Sequence, residues 1–99
     1  MLTVDELMAR IHQQVQHIEE VQRSVERMEV VGHSRQGEAT ATLTGTGQFI
    51  EVSIDPRAMR RYDADSVGAL VLEAVNDGLR RLAEASSEKF APIIAESRG

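Results

Sequence analysis

A run of apolar residues near the start of this chain, spaced alternately by three and four positions, leaves few choices for its fold. The apolar positions of the run are Val4, Leu7, Ile11, Ile18, Val21, Val25 and Met28. This heptad spacing predicts an amphipathic helix over about residues 3–30, with Thr3 and Glu6 forming a capping box at its start. Such a helix measures roughly 42 Å at 1.5 Å per residue, longer than a compact domain of this size is wide. Part of its apolar stripe therefore needs a partner.

Gln14 interrupts the apolar stripe at one seam position. One interpretation is that Gln14 sets the register of a helix pair, as buried Asn does in coiled coils. The other is that Gln14 faces solvent where the helix diverges from its partner, and the sequence favours this simpler alternative. Met8 and Val15 widen the stripe on one side.

A β-hairpin is predicted over about residues 38–55. Its first strand alternates small apolar residues with threonine, and its second strand places Ile50, Val52 and Ile54 on one face. Gly45 and Gly47 supply the positive-φ positions of a tight turn between them. The preceding residues 31–37 contain two glycines and are expected to form a connection or an irregular edge strand, which would be a third strand.

A second long helix is predicted over about residues 65–88. Asp55 and Pro56 end the hairpin, and Asp63, Asp65 and Ser66 are capping candidates for the helix. Gly78 lies on the apolar face of this helix, which suggests close approach of another backbone there. A short tail follows. The sequence thus predicts one α+β domain over residues 1–99, with a long N-terminal helix, a small antiparallel sheet and a long C-terminal helix.

Composition favours an aliphatic core and an oligomer. Apolar residues make up 41% of the 99 residues but aromatic residues only 3%, and a chain this short buries a thin core. Cysteine is absent, which excludes disulfides and thiolate chemistry. The N-terminal residues are acidic where a signal peptide would be basic, and no apolar run reaches the roughly 20 residues of a membrane span. We expect a soluble, cytoplasmic homodimer without a membrane partner.

The sequence offers no arrangement of residues for catalysis. His12 and His17 would lie about 140° apart on a helix, so they cannot share a metal. The pair Asp63 and Asp65 is explained by helix capping. The glycine turn is followed by neither a helix nor a Lys-Ser or Lys-Thr pair, unlike a phosphate loop. We therefore predict no enzymatic activity, no metal and no cofactor.

The basic residues are the remaining distinctive feature. The formal net charge is -5, which argues against indiscriminate attraction to nucleic acid, yet all but one of the eleven basic residues are arginine. They form three groups, which are Arg57, Arg60 and Arg61; Arg23 and Arg27; and Arg80 and Arg81. The second and third groups either contact phosphate or pair with nearby acids, Arg23 with Glu19 or Glu26 and Arg81 with Asp77. For the first group, which outnumbers its neighbouring acids, we favour a contact role.

Several segments resemble the YbaB/EbfC family of bacterial nucleoid-associated proteins. The similar segments are the glycine turn at residues 45–47, Val-Ser-Ile-Asp-Pro at residues 52–56, Asp63 and Asp65, and Ala-Val-Asn-Asp-Gly-Leu at residues 74–79. Together with the long first helix they cover nearly the whole chain. The resemblance implies a homodimer joined through its sheet region, with helices projecting like tweezers, that binds double-stranded DNA and is associated with the nucleoid.

Two functions follow from these observations. The first is a dimeric DNA-binding protein with phosphate-dominated contacts and little sequence specificity, serving nucleoid organisation or gene regulation. The alternative is a protein-protein interaction module that uses its heptad helices to bind other proteins without touching DNA. The family resemblance and the clustered arginines motivate the first function, and the acidic charge and the apolar seam motivate the alternative.

Overall fold

The computed structural model of the protein describes the backbone of residues 3–98 and the side chains of residues 3–92. The described part of the chain forms two long helices, one short helix and a small sheet. In chain order the elements are α1 (Val4–Glu26), β1 (Glu29–His33), β2 (Ala39–Thr44), β3 (Phe49–Ile54), α2 (Pro56–Arg61) and α3 (Ala64–Arg98). The α+β class is confirmed, and the third strand is present as β1.

Helix α1 begins as predicted but ends earlier. The Oγ1 atom of Thr3 accepts a hydrogen bond from the Glu6 N–H at 3.1 Å, which caps the first turn. The helix stops at Glu26 because the chain beyond it is drawn into the sheet, where Val30 pairs with Leu43. The heptad spacing continues past Glu26 although the helix does not. Residues 29 and 30 were predicted as helix and are strand.

The sheet is antiparallel in the order β1-β2-β3, and its core lies on one face. Ala41 and Leu43 on β2 are buried on that face. Val52 pairs with Ala41 and therefore lies on the same face, as does Ile54. Ile50 departs from the prediction, because the register shifts beside Leu43 and leaves Ile50 without an opposing residue in the ladder.

The two glycines of the β2–β3 turn have different roles. Gly47 has a φ of 88°, as the hairpin prediction required. Gly45 does not have positive φ. Instead, a Cβ atom at Gly45 would overlap the backbone carbonyl group of Val25, so the turn packs directly on the end of α1.

Helix α3 crosses the sheet over β1 and β2. The Oδ1 atom of Asp63 accepts from the Ser66 N–H at 2.8 Å and caps its start. Ala74 and Gly78 are buried against the strands. The helix continues through Pro92 to Arg98, beyond the predicted end near residue 88. The side chains of the predicted tail, from residue 93 onward, lie outside the described part.

The molecule is elongated, measuring 70 × 21 × 15 Å. Its radius of gyration is 19.9 Å, whereas a compact chain of this length would have about 13 Å. Helix α1 meets α3 near its own C-terminus, where Lys89 Nζ donates to Ser24 Oγ at 2.7 Å. Val21 and Val25 are half-buried there, but Val4 at the other end of α1 is 76% exposed. The first half of the predicted seam therefore has no partner within the described chain.

Candidate nucleic-acid interface

The connector cluster, Arg57, Arg60 and Arg61, lies on the short helix α2. Asp55 caps this helix, because its Oδ1 atom accepts from the Arg57 N–H at 2.8 Å. The Arg57 guanidinium also lies 3.3 Å from the Asp55 carboxylate. Hydrogen bonds from the Arg57 backbone and then from its side chain lower the pKa of Asp55 below its ordinary value.

The other two arginines of the connector cluster differ in their surroundings. Arg61 lies 3.7 Å from a carboxylate oxygen of Glu38, and its guanidinium sits 5.4 Å from the centre of the Tyr62 ring. Arg60 makes no ion pair with any residue in the described part of the chain. All three arginines are exposed. The Arg57 pair with Asp55 is largely exposed and contributes little free energy, so Arg57 can turn toward an anion. The Glu38 side chain is only 13% exposed, so its pair with Arg61 is less easily replaced by an anion.

A second group, the arm cluster, lies where α1 meets α3. Arg23, Arg27 and Lys89 line one open cavity of about 490 Å³, and Glu20 is the one carboxylate among its described lining residues. Lys89 is held in place by its hydrogen bond to Ser24. This juxtaposition joins a residue of α3 to two arginines of α1.

Pairing of Arg23 with Glu19 or Glu26 was the alternative to a contact role. Within residues 3–92 neither Arg23 nor Arg27 forms an ion pair. Both guanidinium groups are exposed. The arm cluster thus retains its cationic donors.

The third group lies on α3 beside β1. Asp77 Oδ2 accepts from Arg81 Nε at 2.8 Å, as expected from their spacing of four. Asp77 Oδ1 also accepts from Arg80. The same carboxylate accepts from the backbone N–H of His33 at 2.8 Å, so it ties the two arginines to the end of β1.

Sequence reasoning missed two cations that the fold places beside these groups. Lys89 belongs to the arm cluster although it is 65 positions from Ser24 in the chain. Arg35, in the β1–β2 turn, lies 3.9 Å from Glu73 of α3 and lines a cavity with Arg80 and Arg81. Neither residue belongs to a basic run in the sequence, so no local signal could have indicated them.

Among the described residues no cluster of three or more His, Cys, Asp or Glu side chains could hold a metal ion. No helix in that part of the chain is both long enough and apolar enough to span a membrane.

Comparison with known proteins finds one family over almost the entire chain. The model of the YbaB/EbfC DNA-binding family matches residues 1–97. A nucleoid-associated protein of Rhodococcus erythropolis is 31% identical over 87 residues, covering 88% of this chain and 78% of the relative. One from Saccharopolyspora erythraea is 31% identical over 96 residues, covering 97% and 83% respectively.

A solved structure shows the same fold at low sequence identity. The uncharacterized protein HP0035 from Helicobacter pylori superposes with a TM-score of 0.72 at 14% identity, covering 95% of this chain and 99% of the other. The arrangement of helices around a three-stranded antiparallel sheet is therefore shared with a chain of similar length.

Proposed function

Because this chain belongs to the YbaB/EbfC DNA-binding family, we propose that it binds double-stranded DNA as a homodimer, chiefly through phosphate contacts and with little sequence specificity. Such a protein would serve nucleoid organisation or gene regulation. Membership in a DNA-binding family confirms the prediction that the chain is not an enzyme.

The arm cluster is the observation that carries the DNA-binding proposal. Arg23, Arg27 and Lys89 face one cavity with one described carboxylate, Glu20, although the chain as a whole has a net charge of -5. Local clusters of arginine and lysine can bind the DNA backbone even on an acidic protein, because counterion release depends on the charges at the contact. Binding of this kind is weak at high salt and reads few bases.

The proposed dimer interface is an apolar surface that we call the shelf, formed by Val52, Leu72 and Leu79. Helix α3 covers β1 and β2, so the face of β3 beside it is open, and Val52 is 48% exposed. One flank of α3 reaches β1 through Asp77. Leu72 and Leu79 lie on the opposite flank, toward β3, because they are rotated roughly half a turn from Asp77.

A second copy of this chain is the occupant we propose for the shelf. A chain of this size buries a limited core, and the shelf exposes three large apolar side chains on β3 and α3. A two-fold axis would place each shelf against its counterpart, as in most homodimers. The unpaired edge of β3 lies beside the shelf and would be covered as well.

A titration of DNA by fluorescence anisotropy tests the proposed function. A labelled duplex is titrated with the dimeric protein at several salt concentrations. The proposal expects binding at low salt and a linear fall of log K with log salt. Absence of binding at low salt, with a sample shown to be folded and dimeric, would refute it.

The exposed stripe of α1 supports a second candidate, a protein-protein interaction module. Leu7, Met8, Ile11 and Val15 are all exposed on the part of α1 beyond its contact with α3. An amphipathic helix with such a face can bind a partner helix. A pull-down from lysate, with and without nuclease, separates the two functions. Partners that survive nuclease favour the module, whereas loss of every partner favours DNA.

A further inference from the structure

Asp77 holds two arginines in fixed positions beside the β1–β2 turn. Its Oδ2 atom accepts from the His33 N–H and from Arg81 Nε, each at 2.8 Å, and its Oδ1 atom accepts from Arg80. The Asp77 side chain is only 11% exposed. The His33 hydrogen bond first, and then that from Arg81, keeps the pKa of Asp77 well below its ordinary value. The carboxylate therefore stays ionised near neutral pH and holds both arginines there.

The anchored arginines keep donors for another anion. Arg81 uses Nε for Asp77 and retains both Nη groups, whereas Arg80 uses one Nη group and retains the other together with Nε. Both side chains are more than half exposed. Because one end of each guanidinium is fixed, less conformational entropy is lost when the remaining donors bind a ligand.

Arg35 provides a third guanidinium near Arg80 and Arg81, from a different part of the fold. It extends from the β1–β2 turn, is 94% exposed, and lies 3.9 Å from its nearest carboxylate, Glu73. With Arg80 and Arg81 it lines an open cavity of about 590 Å³, which we call the notch. Its described walls carry three guanidiniums against two carboxylates, and the oxygens of Asp77 are already occupied.

We propose that the notch binds a phosphate ester, held by Arg35 together with the free donors of Arg80 and Arg81. Arginine forks match the geometry of phosphate oxygens and form strong charge-assisted hydrogen bonds with them. The ester belongs either to the DNA backbone, in which case this inference rests on the proposed DNA binding, or to a free nucleotide. Asp77 is a positioning residue for this site. It touches the arginines and not the ligand.

Nuclear magnetic resonance on the ¹⁵N-labelled full chain tests the notch directly. The Nε–H signals of Arg35, Arg80 and Arg81 are followed during titration with AMP and, separately, with a short DNA duplex, at constant ionic strength. Shifts with the duplex alone support the notch with DNA as the source, and shifts with both probes support a general ester site. Shifts with AMP, in a protein that does not bind the duplex, support the notch and refute the proposed DNA binding. The inference is overturned if neither probe moves these signals.

Arg35→Ala supplies a second measurement, with Arg10→Ala as its control. Each variant removes one exposed arginine, and Arg10 lies on α1, where it lines a cavity with Gln13 and Gln14. For whichever probe shifts the arginine Nε–H signals, we expect Arg35→Ala to weaken the affinity for that probe roughly tenfold, the equivalent of about 1.4 kcal/mol. Arg10→Ala should leave the affinity for AMP unchanged. If the wild type and Arg35→Ala bound the probe that shifts these signals with equal affinity, Arg35 would not belong to the site and the inference would be overturned.

Discussion

Gly32 of β1 lies directly against Gly78 of α3, so that a Cβ atom on Gly32 would come within 2.6 Å of the Gly78 Cα. The three atoms nearest to that Cβ are all backbone atoms of Ala74 and Gly78, so no flexible side chain can move aside. We predict that Gly32→Ala lowers the free energy of unfolding by about 3 kcal/mol, the upper part of the range for overpacking. Urea denaturation at fixed protein concentration measures this loss.

Gly68 provides the matched control for that substitution. It lies in α3, and a Cβ atom there would meet nothing within 4 Å. Gly68→Ala should therefore raise the free energy of unfolding by about 1 kcal/mol, because alanine favours the helix. Similar effects of the two substitutions would contradict the close packing of β1 on α3.

The hydrogen bond from the His33 N–H to Asp77 makes the free energy of unfolding depend on pH under acidic conditions. A carboxyl whose pKa is lower in the folded state than in the unfolded chain contributes stability above its unfolded pKa, near 3.9. That contribution is lost as pH falls toward the lowered folded value. Asp77→Asn should thus be less stable than the wild type near neutral pH, with the difference narrowing below about pH 4. Thermal unfolding across this pH range measures the difference.

Glu51→Gln is the control for the acid dependence. Glu51 is exposed on β3 and makes no hydrogen bond or ion pair through its side chain within residues 3–92. Glu51→Gln should therefore unfold at nearly the same temperature as the wild type near neutral pH. If Asp77→Asn behaved like Glu51→Gln, the carboxylate could not be the link between α3 and β1.

The sequence pattern predicted which helices and strands form, but it did not predict the residues at which the two long helices stop. The heptad spacing and the Thr3 cap predicted where α1 starts, and the turn residues predicted the hairpin. The end of α1 is set by pairing of Val30 with Leu43, which is a contact between distant parts of the chain. Likewise, Ile50 follows the period of its strand, but a register shift removes it from the ladder. Contacts between distant parts of the chain therefore determine the local structure where the spacing of apolar residues predicts something else.

The candidate interface was predictable where its cations are neighbours in sequence. Arg57, Arg60 and Arg61 form a visible run, whereas the arm cluster depends on Lys89 reaching Ser24 across 65 positions. The notch likewise needs the β1–β2 turn to lie beside α3. Spacing along one helix indicates which residues share a face, but it cannot indicate which other element faces them.

The contributions of the connector cluster and the arm cluster to DNA binding can be tested separately. Replacing Arg57, Arg60 and Arg61 together with alanine should weaken binding and flatten the salt dependence. The slope of log K against log salt should become shallower by about 0.9 for each phosphate that the protein no longer neutralises. Anisotropy titrations across salt concentrations give this slope. An unchanged affinity would instead place the DNA contacts on the long helices α1 and α3.

The arm cluster is tested by Arg23→Ala combined with Arg27→Ala. These arginines make no ion pair among the described residues, so their removal should leave the stability of the monomer fold nearly unchanged. Binding should weaken and the salt slope should again become shallower. A slope equal to that of the wild type would exclude both side chains from the phosphate contacts.

Substitutions of Leu79 and Leu7 test which of two apolar surfaces joins the two protomers. Leu79 on the shelf is 45% exposed and Leu7 on the α1 stripe is 48% exposed, so aspartate at either position introduces a charge at a site of similar accessibility. If the shelf is the interface, Leu79→Asp should dissociate the dimer, because an unpaired charge would be buried there. Sedimentation should then give a mass near 10.9 kDa, while Leu7→Asp keeps twice that mass. The reverse pattern would place the interface on the α1 stripe and leave the shelf for another partner. A wild-type mass near 10.9 kDa at micromolar concentration would refute the dimer itself.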